Sequence, residues 1–344
     1  MNRHAPADAG ATIVARGARG EPVAALKAQL RAWFETAWPG EWERFRIADN
    51  DVFGAQLERA VKVFQARAGL APDGRVGPLT RAALAAEPTG GGTAAATPKD
   101  LAYPGPLKRR SSGDEVRLVQ GWLSLHRHHV AIDGAFGPAT ETALRAFQAR
   151  RGVAATGVLD EATWSLLVAP MVAALTPLRR RAPLGELVVA YAKQHLKQHP
   201  REVGGQNRGP WVRLYTDGRE GEAFPWCAGF ATTVLAQACA TLGVPMPIER
   251  TLACDRMADT AGTRFVRGST AGARARLRPG SFFLQQATGA ERQRYRYRHT
   301  GIVVAASAET MATIEGNTND DGSAEGYEVC ARTRGYANMD FVVL

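Results

Sequence analysis

The order of hydrophobic and polar positions divides this chain into a helical part followed by a part rich in strands. In the first part, apolar residues such as Val23, Leu26 and Leu30 recur at the spacing of one face of an amphipathic helix. From about residue 184, two predicted helices precede apolar runs rich in β-forming residues, namely SFFLQQ, TGIVVAAS, MATIEG, YEVCART and FVVL. Helices first and strands afterwards predict a C-terminal α+β domain with an antiparallel sheet.

The helical part contains an internal repeat. The alignment places FGAQLERAVKVFQARAGL (53–70) over FGPATETALRAFQARRGV (136–153), and GEPVAALKAQL (20–30) over GDEVRLVQGWL (113–123). Each copy reads as a small unit of short helices, and a unit of roughly 60 residues has only a small core. The sequence therefore predicts two small all-α modules.

Changes in composition set the expected boundaries. Gly, Thr, Ala and Pro dominate the segment between the two copies, which is typical of a linker. The predicted division is module 1 at 12–86, a linker at 87–106, module 2 at 107–168, a second linker at 169–183 and the C-terminal domain at 184–344.

The repeat resembles the bacterial peptidoglycan-binding domain of three short helices. The second copy carries the pattern at Asp133, Gly134, Phe136, Gly137, Thr140, Ala143, Leu144, Phe147 and Gln148. The first copy departs from it at Val52 and Leu57. The resemblance implies that peptidoglycan is the partner and that Asp133, Phe136 and Thr140 bind it.

Chemistry is expected first at Cys227, within FPWCAGFATTVL. Pro225 marks a predicted helix start, where the helix dipole and unpaired N–H groups favour a thiolate. The small residues Ala228 and Gly229 are expected to leave the sulfur uncovered. The alternative is a buried structural cysteine.

The other cysteines carry no recognisable site. Cys239, Cys254 and Cys330 form no CxxC or zinc-type spacing with Cys227. Buried free thiols are favoured over a disulfide between Cys239 and Cys254.

A thiol nucleophile needs a base and a group that orients the base. His299 differs from the other histidines because it heads HTGIVVAAS, a predicted buried strand. Glu315 and Asn317 lie two residues apart on the predicted neighbouring strand, so both are expected on one face. His195 and His199 have the i, i+4 spacing of half a metal site, but an exposed helix end is the favoured interpretation.

Four motifs in order, PWCAGF, RPGSFFL, HTGIV and IEGN, resemble the CHAP domain, a papain-like family of cysteine- and histidine-dependent amidohydrolases and peptidases. The chain has Ser281 where members often have Asp. The resemblance implies a nucleophile at Cys227, a general base at His299, and a relay completed by Glu315 and Asn317. It implies an N-acetylmuramoyl-L-alanine amidase or a peptide endopeptidase that needs no cofactor or metal.

The expected substrate groove lies before the cysteine. The segment GGQNRGPWVRLY (204–215) resembles the corresponding stretch of one CHAP branch. Gln206 and Asn207 are candidate side-chain donors to an oxyanion, and Trp226 is a candidate substrate-binding residue. The segment 317–328 resembles a calcium loop, but its strand-like flanks favour a polar hairpin loop.

The net charge of +10 favours polyanionic partners. No nucleic-acid-binding motif accompanies it, so no nucleic-acid partner is expected, and no apolar run predicts a membrane span. A monomer is expected. The N-terminus lacks the apolar stretch of a secretory signal. Two routes to the wall stay open, a phage lysis enzyme or an injected antibacterial toxin with an immunity partner. The alternative function is a non-catalytic wall-binding protein with a CHAP-like scaffold.

Overall fold

The computed structural model describes residues 13–37, 41–67, 74–77, 80–81, 84, 99–178, 182–319 and 326–344. The N-terminal segment before residue 13, most of the predicted linker 87–106 and residues 320–325 of the predicted hairpin loop lie outside these ranges. The chain divides into two compact units, residues 1–96 with 176–179, and residues 97–175 with 180–344.

Ten α-helices are named within the described ranges. They are α1 (Glu21–Ala37), α2 (Glu41–Arg44), α3 (Ala55–Arg67), α4 (Asp114–Leu125), α5 (Pro138–Arg150), α6 (Glu161–Leu175), α7 (Leu184–Lys197), α8 (Pro210–Tyr215), α9 (Cys227–Leu242) and α10 (Cys254–Thr260). None of the described helices combines the length and apolar composition that crossing a bilayer requires.

The sheet has six strands. They are β1 (Phe265–Val266), β2 (Phe282–Gln286), β3 (Tyr297–Ala306), β4 (Met311–Thr318), β5 (Glu328–Arg334) and β6 (Met339–Val342). Their order is β1-β6-β2-β3-β4-β5, and all neighbouring pairs are antiparallel. The structure confirms a helical N-terminal region followed by an antiparallel sheet. The strand β1 was not predicted because two residues are too few for a pattern.

The first unit buries the apolar face that the sequence predicts. Val23, Leu26 and Leu30 of α1 are all buried, and they join a core with Phe34 and with Phe64 of α3. The helical spacing of these positions therefore builds the core that holds α1 against α3.

A buried glutamine explains why the two repeats share a Gln, a Gly and a Thr. In the second repeat, Gln148 accepts a hydrogen bond from the backbone N–H of Gly157 (2.9 Å) and donates to the hydroxyl of Thr163 (3.1 Å). In the first repeat, Gln65 accepts from the N–H of Gly74 at 2.8 Å. Each glutamine fixes the turn that leads into the next helix.

The helix α6 extends beyond the second repeat. It continues to Leu175, and so it includes the beginning of the segment 169–183 for which the sequence predicts a linker. Two side-chain amides of the C-terminal domain, those of Gln194 and Gln237, donate to the carbonyl of Ala174 at 3.0 Å. The end of α6 is therefore held by the C-terminal domain.

The second repeat packs on the C-terminal domain within one unit. The guanidinium of Arg213 donates to both carboxylate oxygens of the buried Asp100, with its Nε atom at 3.0 and 3.1 Å. The fully buried rings of Trp122 and Trp211 approach edge to face with centroids 6.5 Å apart. The aromatic contact thus joins the repeat to α8, and the ion pair joins α8 to Asp100 in the segment before the repeat, whose carbonyl accepts from Nε1 of Trp122.

Two glycines bring the cysteine helix and the sheet close together. A Cβ atom at Gly316 of β4 would lie 2.7 Å from Cβ of Phe230 in α9. A Cβ atom at Gly301 of β3 would lie 2.5 Å from Cγ of Glu315. Larger side chains at either position would push apart the elements that carry the candidate site.

Gln148→Ala is expected to destabilise the second unit by about 1–3 kcal/mol, because it leaves buried backbone and hydroxyl groups without their hydrogen-bond partner. The measurement is the free energy of unfolding from a denaturant titration of the full chain. Gln293→Ala, at an exposed position, is the matched control and should change stability little. Equal stability of the two variants would contradict the role of the glutamine.

Candidate active site

Cys227 is the first residue of α9, with Trp226 as the residue preceding the helix. The backbone N–H of Ala228 contributes to lowering the pKa of the Cys227 thiol. A helix N-terminus presents such N–H groups without partners inside the helix, so it stabilises negative charge there. The prediction that Cys227 begins a helix is confirmed.

The sequence predicts that the sulfur of Cys227 is uncovered, but in the structure Cys227 is buried. Cys227 is 5% exposed and Ala228 is fully buried. The space freed by Gly229 is taken by the backbone of Tyr215, whose carbonyl oxygen would lie 2.2 Å from a Cβ atom there. The small residues serve the close packing of α9 against α8 and its following turn rather than an open approach to the thiol.

His299 of β3 and Glu315 of β4 meet on adjacent antiparallel strands. Nε2 of His299 lies 2.9 Å from Oε2 of Glu315, and both side chains are fully buried. Since an ionised carboxylate only accepts, Nε2 carries the proton and donates it. The other ring nitrogen, Nδ1, is buried and makes no hydrogen bond of standard geometry within the described residues.

Glu315 is held by two further donors. Arg334 of β5 donates from Nε to Oε1 (2.6 Å) and from a terminal nitrogen to Oε2 (2.5 Å). The hydroxyl of Thr313 donates to Oε1 at 2.5 Å. A two-point guanidinium contact fixes the plane of the carboxylate, and that plane sets the direction of its bond to His299.

These contacts shift both ionisation equilibria. Burial by itself raises the pKa of Glu315, but hydrogen bonds and charge from Arg334 and His299 outweigh it and lower the pKa to about 2. Burial by itself lowers the pKa of His299, but interactions with Cys227 and Glu315 outweigh it and raise the pKa to about 9. At neutral pH the pair is therefore a carboxylate and an imidazolium.

A second thiol completes the surroundings of Cys227. The sulfur of Cys254, at the start of α10, lies 3.8 Å from that of Cys227. A hydrogen bond from Cys254 lowers the pKa of Cys227 well below the usual thiol range, against burial and together with His299. The same contact, together with burial, raises the pKa of Cys254 well above that range. The directions of the two shifts favour Cys227 as the thiolate and Cys254 as the S–H donor.

Asn317 does not share the simple geometry expected from its spacing. It is buried, but the pairing of β4 with β5 shifts register between Glu315 and Thr318, and Asn317 has a φ of 55°. A bulge of this kind interrupts the alternation of side chains between the two faces. Among the described residues, the side chain that contacts Nε2 of His299 is Glu315.

Three residues around the site were missed by the sequence analysis: Cys254, Thr313 and Arg334. A weak signal existed for Arg334, since it is one of two arginines in β5 (EVCARTR) and a buried acid on a neighbouring strand suggests an ion pair. Pairing Arg334 with Glu315 required the register of β5 against β4, which the sequence does not supply. Cys254 had no comparable signal, because its sulfur reaches the site through the packing of α10.

The predicted groove residues lie in different surroundings from one another. Trp226 is fully buried, stacks on Tyr215 with centroids 5.3 Å apart, and donates its Nε1–H to Glu202 at 2.8 Å. Asn207 is buried and donates its amide to the carbonyl of Glu222 at 3.2 Å. Gln206 is exposed. Of the three, only Gln206 presents its side chain to solvent, while Trp226 and Asn207 support the structure around α9.

The predicted wall-contact residues of the second repeat are mostly internal. Phe136 and Thr140 are each 2% exposed. Asp133 accepts from Gln120 Nε2 and from the N–H of Ala135, both at 2.8 Å, and these hydrogen bonds lower its pKa. All three shape the turn before α5; Phe136 and Thr140 are internal, while Asp133 is exposed and stays a predicted wall contact.

The prediction that His195 lies at an exposed helix end is wrong. His195 is fully buried. Its Nδ1 lies 2.8 Å from the hydroxyl of Tyr215, and its Nε2 lies 2.8 Å from Oε1 of Gln237. Burial lowers its pKa to about 4, so the ring is neutral. The polar partners that allow this burial come from α8 and α9, far along the chain.

The cysteines are all buried and free, which agrees with the interpretation as free thiols. The partner of Cys254 in space is Cys227, rather than Cys239.

Comparison with known proteins identifies the repeats. The family model described as a putative peptidoglycan binding domain matches residues 19–84 and 112–167. Both repeats match the same model. The chain is 32% identical over 165 residues to the N-acetylmuramoyl-L-alanine amidase CwlL of Bacillus licheniformis, covering 44% of each protein. It is 39% identical over 66 residues to the Zinc D-Ala-D-Ala carboxypeptidase of Streptomyces albus G, covering 18% of the chain and 26% of that protein. The chain thus spans less than half the length of these curated relatives.

Cys254→Ala is expected to raise the pKa of Cys227, because it removes the S–H donor to the thiolate. The measurement is the ultraviolet absorbance of the thiolate as a function of pH, which needs no reagent to enter the site. Cys239→Ala is the matched control, since burial raises the pKa of Cys239 to about 11 and its thiol lies outside the site. An unchanged titration of Cys227 in Cys254→Ala would contradict the assignment of the donor.

Proposed function

We propose that the chain is a bacterial peptidoglycan hydrolase whose C-terminal domain is a CHAP-type thiol hydrolase. The proposed nucleophile is Cys227, the general acid and base is His299, and the orienting carboxylate is Glu315. The two repeats, which match a peptidoglycan-binding model, and the similarity to a cell-wall amidase support peptidoglycan as the substrate.

One observation carries the proposal. A thiol at a helix N-terminus, with its pKa well below the usual range, interacts with an imidazole whose pKa is raised to about 9. The imidazole is oriented by a buried carboxylate 2.9 Å from its far nitrogen. A thiolate, a proton donor beside it and a third group that fixes the donor are the parts that thiol acyl transfer requires.

The proposed reaction begins from the thiolate and imidazolium. Cys227 attacks the carbonyl carbon of an amide, and the developing oxyanion accepts from backbone N–H groups at the start of α9. His299 then gives its proton to the leaving amine, and the C–N bond breaks to leave a thioester on Cys227. The neutral imidazole takes a proton from water, whose oxygen attacks the thioester and releases the acid and the thiolate. Glu315 holds the ring in one orientation throughout.

The non-catalytic alternative is favoured by one specific observation, the burial of Cys227 and His299. A wall-binding protein could retain a buried ion network for stability alone. The two functions differ in their products, since only the hydrolase releases new amine and carboxyl groups from the wall.

Cys227→Ala is expected to abolish hydrolysis of purified sacculi while binding to sacculi is retained, because binding is proposed to reside in the repeats. Released muropeptides are measured by mass spectrometry, which also identifies the bond. A free lactyl group on muramic acid indicates an amidase, and a cut within the stem or bridge peptide indicates an endopeptidase. Cys239→Ala should keep full activity. Undiminished hydrolysis by Cys227→Ala would refute the proposed nucleophile.

The expected pH dependence of hydrolysis follows from the shifted pKa values of His299 and Glu315. The pKa of His299 is raised to about 9, so its proton is available for the leaving amine below that pH and is lost above it. The rate of hydrolysis should therefore fall as the pH rises through about 9. Glu315→Gln removes a group that raises this pKa, so the alkaline fall should begin at lower pH. The measurement is the hydrolysis rate of a soluble muropeptide across the pH range. An identical pH profile for the unsubstituted chain and for Glu315→Gln would count against the proposed role of Glu315.

A further inference from the structure

The second repeat carries a basic pocket of about 200 Å³. It lies where α4 and α5 end, and the residues that define it are His126, Arg127, His128, Phe147, Arg150 and Arg151. Phe147 is central to this pocket. The ring centroids of His126 and His128 lie 4.9 and 6.0 Å from that of Phe147, and the guanidinium of Arg151 lies over it at 5.5 Å.

The positive charge of this pocket is not neutralised by the protein. Arg127, Arg150 and Arg151 form no salt bridge with any carboxylate in the described part of the chain. A helix C-terminus favours one or two cations through its dipole, but three guanidiniums around one concave surface repel each other. Nε2 of His128 is also buried without a hydrogen-bond partner among the described residues. A bound anion with a polar neighbour would satisfy both features.

The first repeat provides an internal comparison. The alignment that pairs Leu30 with Leu123 can be continued without a gap. It then pairs Trp33 with His126, Phe34 with Arg127 and Glu35 with His128. Trp33 packs edge to face on Phe64 with centroids 4.7 Å apart, as His126 packs on the equivalent Phe147.

The two repeats differ in what surrounds this shared phenylalanine. In the first, α1 continues to Ala37 and Phe34 is fully buried. In the second, α4 ends at Leu125, and Arg127 is exposed with a φ of 67°. Between these two helix ends, as far as the structure describes them, the exposed arginine after the shortened helix is specific to the second repeat.

A larger groove of about 660 Å³ shares Arg127 with this pocket. It is lined further on by Arg201, Glu202 and Tyr327 of the C-terminal domain. Glu202 accepts the Nε1–H of Trp226, the residue before Cys227. The groove is therefore lined by both the second repeat and the C-terminal domain, and one of its lining residues contacts the residue before Cys227.

We propose that the basic pocket binds a free carboxylate of a peptidoglycan stem peptide and so positions that peptide along the groove. The planar guanidinium matches a carboxylate through two parallel hydrogen bonds, and a volume of about 200 Å³ has room for a peptide terminus. This inference rests on the proposed function for the identity of the polymer.

The test uses the full chain carrying Cys227→Ala, so that no ligand is consumed. The probes are a disaccharide tetrapeptide and the same compound with its carboxylates amidated, and affinity is measured by calorimetry. Arg150→Gln with Arg151→Gln is expected to weaken binding of the free acid by about tenfold or more. Arg117→Gln, an exposed arginine of the same repeat paired with Asp114, is the control and should bind normally. The amidated compound should bind the parent protein weakly.

Two results would overturn the inference. One is equal binding of the acid and the amidated compound, a comparison that depends on no arginine substitution and so survives any failure of the double variant to fold. The other is displacement of the tetrapeptide by inorganic phosphate at equal concentration, which would assign the pocket to phosphate groups. Hydrolysis of sacculi by the unsubstituted chain is measured separately. If the chain does not hydrolyse sacculi but binds the tetrapeptide through its carboxylate, the proposed enzymatic function is refuted and the carboxylate pocket is supported. If the chain hydrolyses sacculi but binds the acid and the amidated compound equally, only the carboxylate pocket is refuted.

Discussion

The candidate site depends on a buried series of charges that alternate in sign. Arg334 contacts Glu315, Glu315 contacts His299, and His299 interacts with the thiolate of Cys227. An isolated charge in this environment would be strongly unfavourable, and breaking a buried pair by removing one partner typically costs about 3–5 kcal/mol. Each group is therefore tolerated in its charged form because its neighbour is charged. This mutual dependence also explains why a carboxylate with a pKa near 2 and an imidazole with a pKa near 9 occur side by side.

The sheet supplies the geometry for this series. Three consecutive strands, β3, β4 and β5, each contribute one charged member, and antiparallel pairing fixes their separations. Gly301 gives room for the side chain of Glu315, and Gly316 lets α9 approach β4. The same close packing buries the sulfur, which strengthens the electrostatic interactions through the low local dielectric. It also leaves only 5% of Cys227 exposed, so under the proposed function a slender, extended peptide suits the site better than a bulky group.

The sequence predicts the main elements and the central residues because both depend on local signals. The repeat is visible from FQAR and its flanking Gly and Thr, and the buried contacts of Gln148 give that signature its physical reason. Cys227 at a helix start and His299 beside Glu315 follow from a proline, from apolar runs and from the order of motifs. Residues that depend on tertiary packing escape prediction. Arg334 needs the register of β5, Asn317 lies at a bulge, and His195 is buried by partners from two other helices.

The two repeats share one buried feature and differ in the residues around it. Both keep the buried glutamine that fixes the turn, since its loss would leave several polar groups unsatisfied. The first repeat fills the surroundings of its conserved phenylalanine with aromatic rings. The second has two further features, the contact of Trp122 with the C-terminal domain and the basic pocket. Under the proposed function, a polymer held by a module that is packed on the C-terminal domain gains orientation as well as local concentration. Orientation matters for an insoluble polymer because it cannot rotate freely to present an amide to the proposed nucleophile, Cys227.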